Sequence, residues 1–243
     1  MNTQPSRTRS LLLPTMFGLT IAGVGAGLWT ALTSSPDVEQ GNFVRILYVH
    51  APSAWLAFLA FGVTALGSIG WLVRRKLGWD RLAEASAELG VMFTAIALFS
   101  GSLWGKPVWG AYWDWADARL ASTALMFFVY LGYLALRRAT PDPVARARRS
   151  AVLGLVAVIQ VPLVYFSVNL WRTLHQGMTV RPDGVQLGDS SMVTALLVNL
   201  AAFTLLYVTL LLARIRIGPA EAAVPDVRPA GSAVTAPKLG ESR

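Results

Sequence analysis

Long apolar stretches alternate with short polar segments along this chain. Six stretches, at approximately residues 11–32, 46–73, 85–104, 120–136, 151–171 and 192–213, contain few or no charged side chains. A helix needs roughly 20 mostly apolar residues to cross about 30 Å of hydrocarbon. Glu84 and Glu88 make the start of the third stretch the least regular. The pattern predicts an all-α integral membrane protein with six transmembrane helices.

The composition excludes a water-soluble globular domain. Hydrophobic residues make up 54% of the 243 residues, charged residues make up 14%, and the mean hydropathy is +0.51. Soluble domains are less apolar and more charged. The lipid bilayer is therefore the expected surroundings of most of this chain.

Basic residues predict the orientation of the helices, because Lys and Arg are retained on the cytoplasmic side. With the N-terminus inside, five basic residues fall outside the membrane: Arg45, Lys106, Arg119, Arg172 and Arg181. The other sixteen of the twenty-one fall on the cytoplasmic side. Both termini are thus predicted to be cytoplasmic, and the net charge of +8 needs no nucleic-acid partner.

The two ends of the chain differ in composition from each other. Arg7 and Arg9 precede the first stretch as they would precede a cleaved signal peptide, but its apolar part is about 22 residues long, against about 7–15 in a signal peptide. Residues 217–243 are rich in Ala, Pro, Gly and Val without helical periodicity. We predict a six-helix membrane domain over residues 1–216 and a disordered cytoplasmic tail over residues 217–243.

Tryptophan is concentrated between the third and fourth stretches. Trp104, Trp109, Trp113 and Trp115 lie within residues 104–115, among Gly and Pro. Indole rings are broad and stiff, so residues 104–120 are predicted to form an external loop that offers a floor for a large planar apolar ligand. The alternative is an aromatic belt at the membrane interface, which needs only one or two rings at each helix end.

The two histidines are the candidate metal ligands of this chain. The chain has no cysteine and two histidines, His50 and His175. The predicted topology places both, with the tryptophan segment and the five external cations, on one face of the membrane. Haem needs axial nitrogen ligands, flat apolar contacts and cations for its propionates. A single histidine at the membrane interface is more often a hydrogen-bonding surface residue than a ligand, and it is the combination of the two with the tryptophans and cations that favours haem.

Three segments carry a resemblance to a known family. Residues 104–120 resemble the tryptophan-rich "WWD" signature of the haem-handling proteins of cytochrome c maturation. Together with residues 44–50 and 173–177, the segment resembles the haem exporter protein C (CcmC) family. The resemblance extends over almost all of residues 11–214.

The resemblance implies a non-enzymatic protein of the inner (cytoplasmic) membrane that binds haem b transiently at its outer face. His50 and His175 would be the axial iron ligands. Other residues implied to contact the haem are Trp104, Trp109, Trp113, Trp115, Asp117 and Arg119. The implied partners are a periplasmic haem chaperone, the ATPase and membrane subunits of an ABC transporter, and a small single-span protein. The chain has no phosphate-binding loop motif, so the ATPase must be a separate protein.

This chain departs from the family signature at Ala116, an extra residue between Trp115 and Asp117. In a helix, one extra residue would rotate the preceding side chains by about 100° relative to Asp117 and Arg119. Those two residues would either pair to close the loop onto the fourth helix, or act in haem transfer.

Three other functions would each need features that differ from those of this chain. A cytochrome c synthetase of the same superfamily would resemble a larger chain with more histidines. A cytochrome b-type protein would pair histidines deep within its helices. A solute transporter with an aromatic gate would need polar groups along a path, and we find only Gln160, Asn169 and Asn199. The residues favour haem handling over each of these.

Overall fold

The computed structural model describes residues 7–171, 173–175, 180–181, 184–185 and 187–222. The helices in that part of the chain are α1 (Arg7–Thr33), α2 (Leu47–Arg74), α3 (Leu77–Trp109), α4 (Ala118–Arg138), α5 (Pro143–Ala157), α6 (Gln160–Leu170) and α7 (Ser190–Ala222). A 3₁₀ turn, η1 (Asn42–Ile46), leads into α2. Between α6 and α7, strands β1 (Val180–Arg181) and β2 (Gly184–Val185) form a small antiparallel hairpin.

Six helical stretches are long and apolar enough to cross a membrane, with α5 and α6 counted as one. The predicted all-α class and the six spans are confirmed by the length and the composition of the helices. The two-stranded hairpin was not predicted. The last helix continues to Ala222, beyond the predicted boundary at residue 216. Residues 223–243 of the predicted tail lie outside the described residues, so their disorder stays a prediction.

The fifth predicted stretch is interrupted near residue 159. Pro162 has no N–H to donate to the carbonyl of Val158, where an uninterrupted helix would have a hydrogen bond. The backbone instead makes shorter-range bonds, with the N–H of Val161 donating to Val158 at 3.0 Å and that of Ile159 donating to Val156 at 3.4 Å. The span is therefore built from two helices.

Helix α3 begins eight residues before the predicted start, at Leu77 instead of residue 85. Its acidic side chains are neutralised by partners from other helices. Arg137 of α4 contacts Asp80 at 2.7 Å and Glu84 at 2.9 Å, and Arg214 of α7 contacts Glu88 at 2.6 Å. Because the carboxylates are paired, the helix can contain the charges that make the start of the third apolar stretch irregular.

The same helix also ends later than predicted, at Trp109. Gly110 has a φ of 78° and its N–H donates to the carbonyl of Lys106 at 3.0 Å. A glycine in this left-handed conformation is a common helix terminator. Trp104 and Trp109 are therefore helical, and the loop occupies only the second half of the tryptophan segment. The predicted loop start at residue 104 was wrong.

Helices α2 and α3 form the central antiparallel pair. Their backbones approach so closely that a Cβ on Gly67 would lie 2.9 Å from the carbonyl oxygen of Trp79. Phe61 of α2 stacks on Tyr130 of α4 with ring centroids 3.5 Å apart, which brings α4 against the pair. Since α4 follows α3 after a short loop, the start of α2, the end of α3 and the start of α4 lie at one end of the bundle.

Candidate functional site

The predicted site residues gather at this end of the bundle. The first turn of α2 carries His50, the last turns of α3 carry Trp104 and Trp109, and Asp117 immediately precedes α4. His175 lies beyond α6, and its ring lies 4.7 Å from that of Trp109 near the end of α3. The fold therefore brings the two histidines into one site although 124 residues separate them in the sequence.

His50 is held against α3 through one ring nitrogen. Its Nδ1 lies 3.0 Å from the carbonyl oxygen of Ala97 and 3.3 Å from Oγ of Ser100. A carbonyl only accepts, so Nδ1 carries the proton and donates. The remaining nitrogen, Nε2, then has a lone pair for a ligand. His50 is partly buried, less exposed to water than its predicted interfacial position suggested.

A tryptophan accompanies each histidine. The Trp104 ring meets the His50 ring edge-on at a centroid distance of 5.8 Å, and its Nε1 donates to Oε1 of Gln40 at 2.9 Å. The Trp109 ring lies 4.7 Å from that of His175. These contacts restrict the positions of both imidazole rings.

Asp117 is the principal anchor of His175. Oδ1 of this buried carboxylate lies 3.2 Å from Nδ1 of His175. Burial lowers the pKa of His175, and the nearby carboxylate raises it only in part. The ring is thus neutral at pH 7, with Nδ1–H donating to Asp117 and Nε2 left as the acceptor. Carboxylate–histidine pairs of this kind orient metal-ligating imidazoles.

Asp117 also organises the chain on both sides of it. Its Oδ1 accepts from the N–H of Leu120 at 2.9 Å and so caps α4. Its Oδ2 accepts from Oγ1 of Thr173 at 2.5 Å and from the N–H of Leu174 at 2.7 Å. Burial raises the pKa of Asp117, but these bonds outweigh it and lower the pKa to about 2. The carboxylate therefore stays ionised.

The extra residue Ala116 lies in the loop and not in a helix. Its N–H donates to Oδ1 of Asp114 at 2.8 Å, and α4 begins only at Ala118. The rotation that an extra residue causes in a helix does not apply here. Among the described residues Asp117 pairs with His175 and not with Arg119, whose guanidinium donates to the carbonyl of Tyr165 at 2.9 Å.

Trp113 and Trp115 form a separate pair. Their ring centroids lie 5.1 Å apart in an edge-to-face arrangement, and Trp115 is 73% exposed. Nε1 of Trp113 is buried without a hydrogen-bond partner among the described residues. This pair lies between Gly110 and Asp117, the two ends of the loop.

The predicted external cations differ in their surroundings. Lys106 donates to the carbonyl of Gly110 at 3.0 Å and lies over the Tyr112 ring. Nε of Arg45 is buried and, within the described part of the chain, has no hydrogen-bond partner. Arg172 and the side chain of Arg181 lie outside the described residues.

Sequence reasoning missed the residues that hold the histidines. Ala97, Ser100 and Gly101 surround His50, and Thr173 supports Asp117. Every residue has a backbone carbonyl, so the residue type does not reveal which carbonyl accepts a hydrogen bond. The one available signal was the run of small residues 100–102 near the end of a membrane helix.

Known proteins are similar to this chain over most of its length. The family model described as Heme exporter protein C matches residues 2–224. A protein of that name from Bradyrhizobium diazoefficiens is 45% identical over 205 residues, which is 84% of this chain and 78% of the relative. Another, from Haemophilus influenzae, is 36% identical over 206 residues, 84% of this chain and 83% of the relative. One from Escherichia coli is 37% identical over 190 residues, 78% of this chain and 76% of the relative.

Proposed function

The chain belongs to the haem exporter protein C family, and from that premise we propose that it binds haem at the outer face of the cytoplasmic membrane and presents it to a periplasmic chaperone. Family membership makes the chain a multi-pass membrane protein of haem transport in cytochrome c biogenesis. The observation that carries the finer proposal is the pair of histidines, each held through Nδ1 at the same end of the bundle.

The donor set fits haem. The porphyrin supplies four nitrogens to iron, so the protein needs to supply only axial ligands, and neutral imidazole is a common one. His50 and His175 both use Nδ1 for their hydrogen bonds. In the part of the chain that the structure describes, Nε2 of neither ring has a hydrogen-bond partner. Nε2 is therefore the proposed ligand atom in both residues.

The surrounding residues would hold the rest of the molecule. Trp113 and Trp115 offer aromatic surface in the loop, and Trp104 and Trp109 fix the ligand rings. The buried donors Nε of Arg45 and Nε1 of Trp113 are suited to the haem propionates. Arg119 lies in the first turn of α4, two residues after Asp117, and we place it at the rim of the site.

The two axial ligands would differ in strength. His175 donates to an ionised carboxylate, whereas His50 donates to a neutral backbone carbonyl. A hydrogen bond to a carboxylate raises the basicity of the distal nitrogen more. We propose that His175 is the stronger donor to iron and His50 the weaker.

The proposed partners are those that membership of the haem exporter protein C family implies. This chain has no phosphate-binding loop, so ATP hydrolysis would belong to the ATPase subunit of an ABC transporter. Its membrane subunit and a small single-span protein would complete the complex. The outer orientation of the site rests on the positions of basic residues.

The test is to measure haem content and chaperone loading in His50→Ala and His175→Ala, each purified in detergent. Loss of an axial ligand should lower haem content by roughly 10-fold or more in each variant. Adding imidazole should restore part of it, because the truncated side chain leaves room for the free ligand. Normal haem content and normal chaperone loading in both variants would refute histidine ligation.

A further inference from the structure

Helix α3 faces the His50 ring with a residue that has no side chain. A Cβ built on Gly101 would lie 2.9 Å from Cε1 and 3.2 Å from Nδ1 of His50. Real Cβ atoms essentially never approach another heavy atom within 3.0 Å. Gly101 is buried in a helix, where glycine is less favourable than alanine by roughly 0.5–1 kcal/mol. Helix stability alone therefore gives no reason for glycine here.

The atoms around Gly101 indicate what the glycine accommodates. The three nearest neighbours of the added Cβ all belong to the His50 ring. At Gly67 the neighbours are backbone and Cβ atoms of α3, as expected where two helices pack closely. The space at Gly101 is thus filled by the imidazole, as the spaces at Gly70 and Gly90 are filled by the rings of Trp79 and Phe61.

The ring has little freedom to move away from an added side chain. Its Nδ1 is bonded to Ala97 and Ser100 on the α3 side, and Trp104 lies against it. Ser100 also donates to the carbonyl of Ile96 at 2.7 Å, which fixes its hydroxyl. A rotation that relieves the clash would break the bond to Ala97 and redirect Nε2.

We propose that Gly101 is a positioning residue for the His50 ligand: its missing side chain leaves the space in which the ring donates through Nδ1 and presents Nε2 to iron. This rests on the proposed haem site. Ala97 and Ser100 hold the ring from one side, and Gly101 allows it to reach them.

The experiment compares Gly101→Ala with Gly62→Ala, a helical control with no atom within 4 Å of its added Cβ. Both variants should insert and fold, with thermal midpoints close to that of the wild type. Gly101→Ala should lose the low-spin bis-imidazole absorption bands and retain roughly 10-fold less haem, whereas Gly62→Ala should retain both. Unchanged bands and haem content in Gly101→Ala would overturn the proposal.

A double variant separates positioning from packing. In the His50→Ala background, Gly101→Ala should cause no further loss of haem, because the ring it displaces is gone. If Gly101→Ala alone does not fold, the double variant should fold. Additive loss, or failure of the double variant to fold, would make Gly101 a packing residue. If His50→Ala itself leaves haem binding unchanged, the proposed function fails; if only Gly101→Ala does, the positioning role alone fails.

Discussion

Asp117 connects three parts of the site through one buried carboxylate. It caps α4, holds residues 173–174 and accepts from the His175 ring. The loop that carries His175 therefore depends on a residue 58 positions earlier in the chain. The sequence resemblance indicated that Asp117 matters, but not that its partner is His175.

Replacing Asp117 tests this role. Asp117→Asn keeps the size of the side chain and can still cap α4 through its carbonyl oxygen. It removes the negative charge that His175 faces, and loss of such a partner commonly weakens metal binding roughly 10–100-fold. We expect haem content to fall by that factor, with a more positive midpoint potential of the remaining haem.

The control is Asp114→Asn, since Asp114 bonds within the loop to the N–H of Ala116. This variant should retain haem at the wild-type level. Equal haem content and equal potential in Asp117→Asn and the wild type would remove Asp117 from the site.

The Trp113 and Trp115 pair tests the aromatic surface without removing a ligand. Replacing both by alanine should weaken haem binding while membrane insertion remains normal, because neither ring lies in a spanning helix. Trp29→Ala is the matched control, since Trp29 is an exposed ring on α1. An aromatic belt predicts the opposite: altered insertion with unchanged haem affinity. Haem titration and membrane fractionation distinguish the two.

Helix boundaries are where sequence and structure differ most, and α3 shows why. Glu84 makes the start of the third apolar stretch irregular, and an unpaired charge is costly in the membrane. Its partner Arg137 comes from another helix, and a pairing across 53 residues cannot be recognised in one sequence. The end of the helix was placed at residue 104, where the apolar stretch stops. Only the backbone identifies Gly110 as the terminator.

The features predicted correctly are those that depend on the local pattern of apolar and polar residues along the chain. Six spans follow from the number of apolar stretches, and the grouping of His50, His175, Trp104 and Trp109 follows from their places at the ends of those stretches. The acceptors for the two imidazoles could not be predicted, because they require the helices to be packed.

Replacing Gly110 tests whether the turn that ends α3 contributes to haem retention. An alanine at a φ of 78° is strained by about 1 kcal/mol, so Gly110→Ala should loosen the turn that follows Trp109. We expect a modest loss of haem retention with little change in insertion. Gly132→Ala in α4, where an added Cβ meets no atom within 4 Å, should be neutral. Equal haem retention in the two variants would count against a role of this turn in the site.

The whole molecule divides into two ends with different chemistry. The site lies at one end of α3, and the carboxylates that pair with Arg137 lie at the other. Asp80 and Trp104 are separated along the helix by about 36 Å at 1.5 Å per residue. Arg137 and Asp80 are buried, with side chains 2% and 8% exposed. This pair joins α3 to α4 far from the histidines.

Arg137→Ala should therefore affect stability more than haem ligation. Removing one partner of a buried ion pair commonly costs about 3–5 kcal/mol. The thermal midpoint in detergent should fall clearly, while the folded fraction keeps the wild-type haem spectrum. Arg138→Ala, at the exposed neighbour, should change stability by no more than about 0.5 kcal/mol. A haem spectrum altered by Arg137→Ala would contradict the separation of the two ends.

The central claim is that His50 and His175 together ligate haem iron. Its most direct test is the electron paramagnetic resonance spectrum of the purified, haem-loaded protein in the ferric state, recorded for the wild type and for each single histidine variant. The account predicts a low-spin bis-imidazole signal in the wild type, replaced by a high-spin signal in His50→Ala and in His175→Ala. The same low-spin signal in both variants would contradict it.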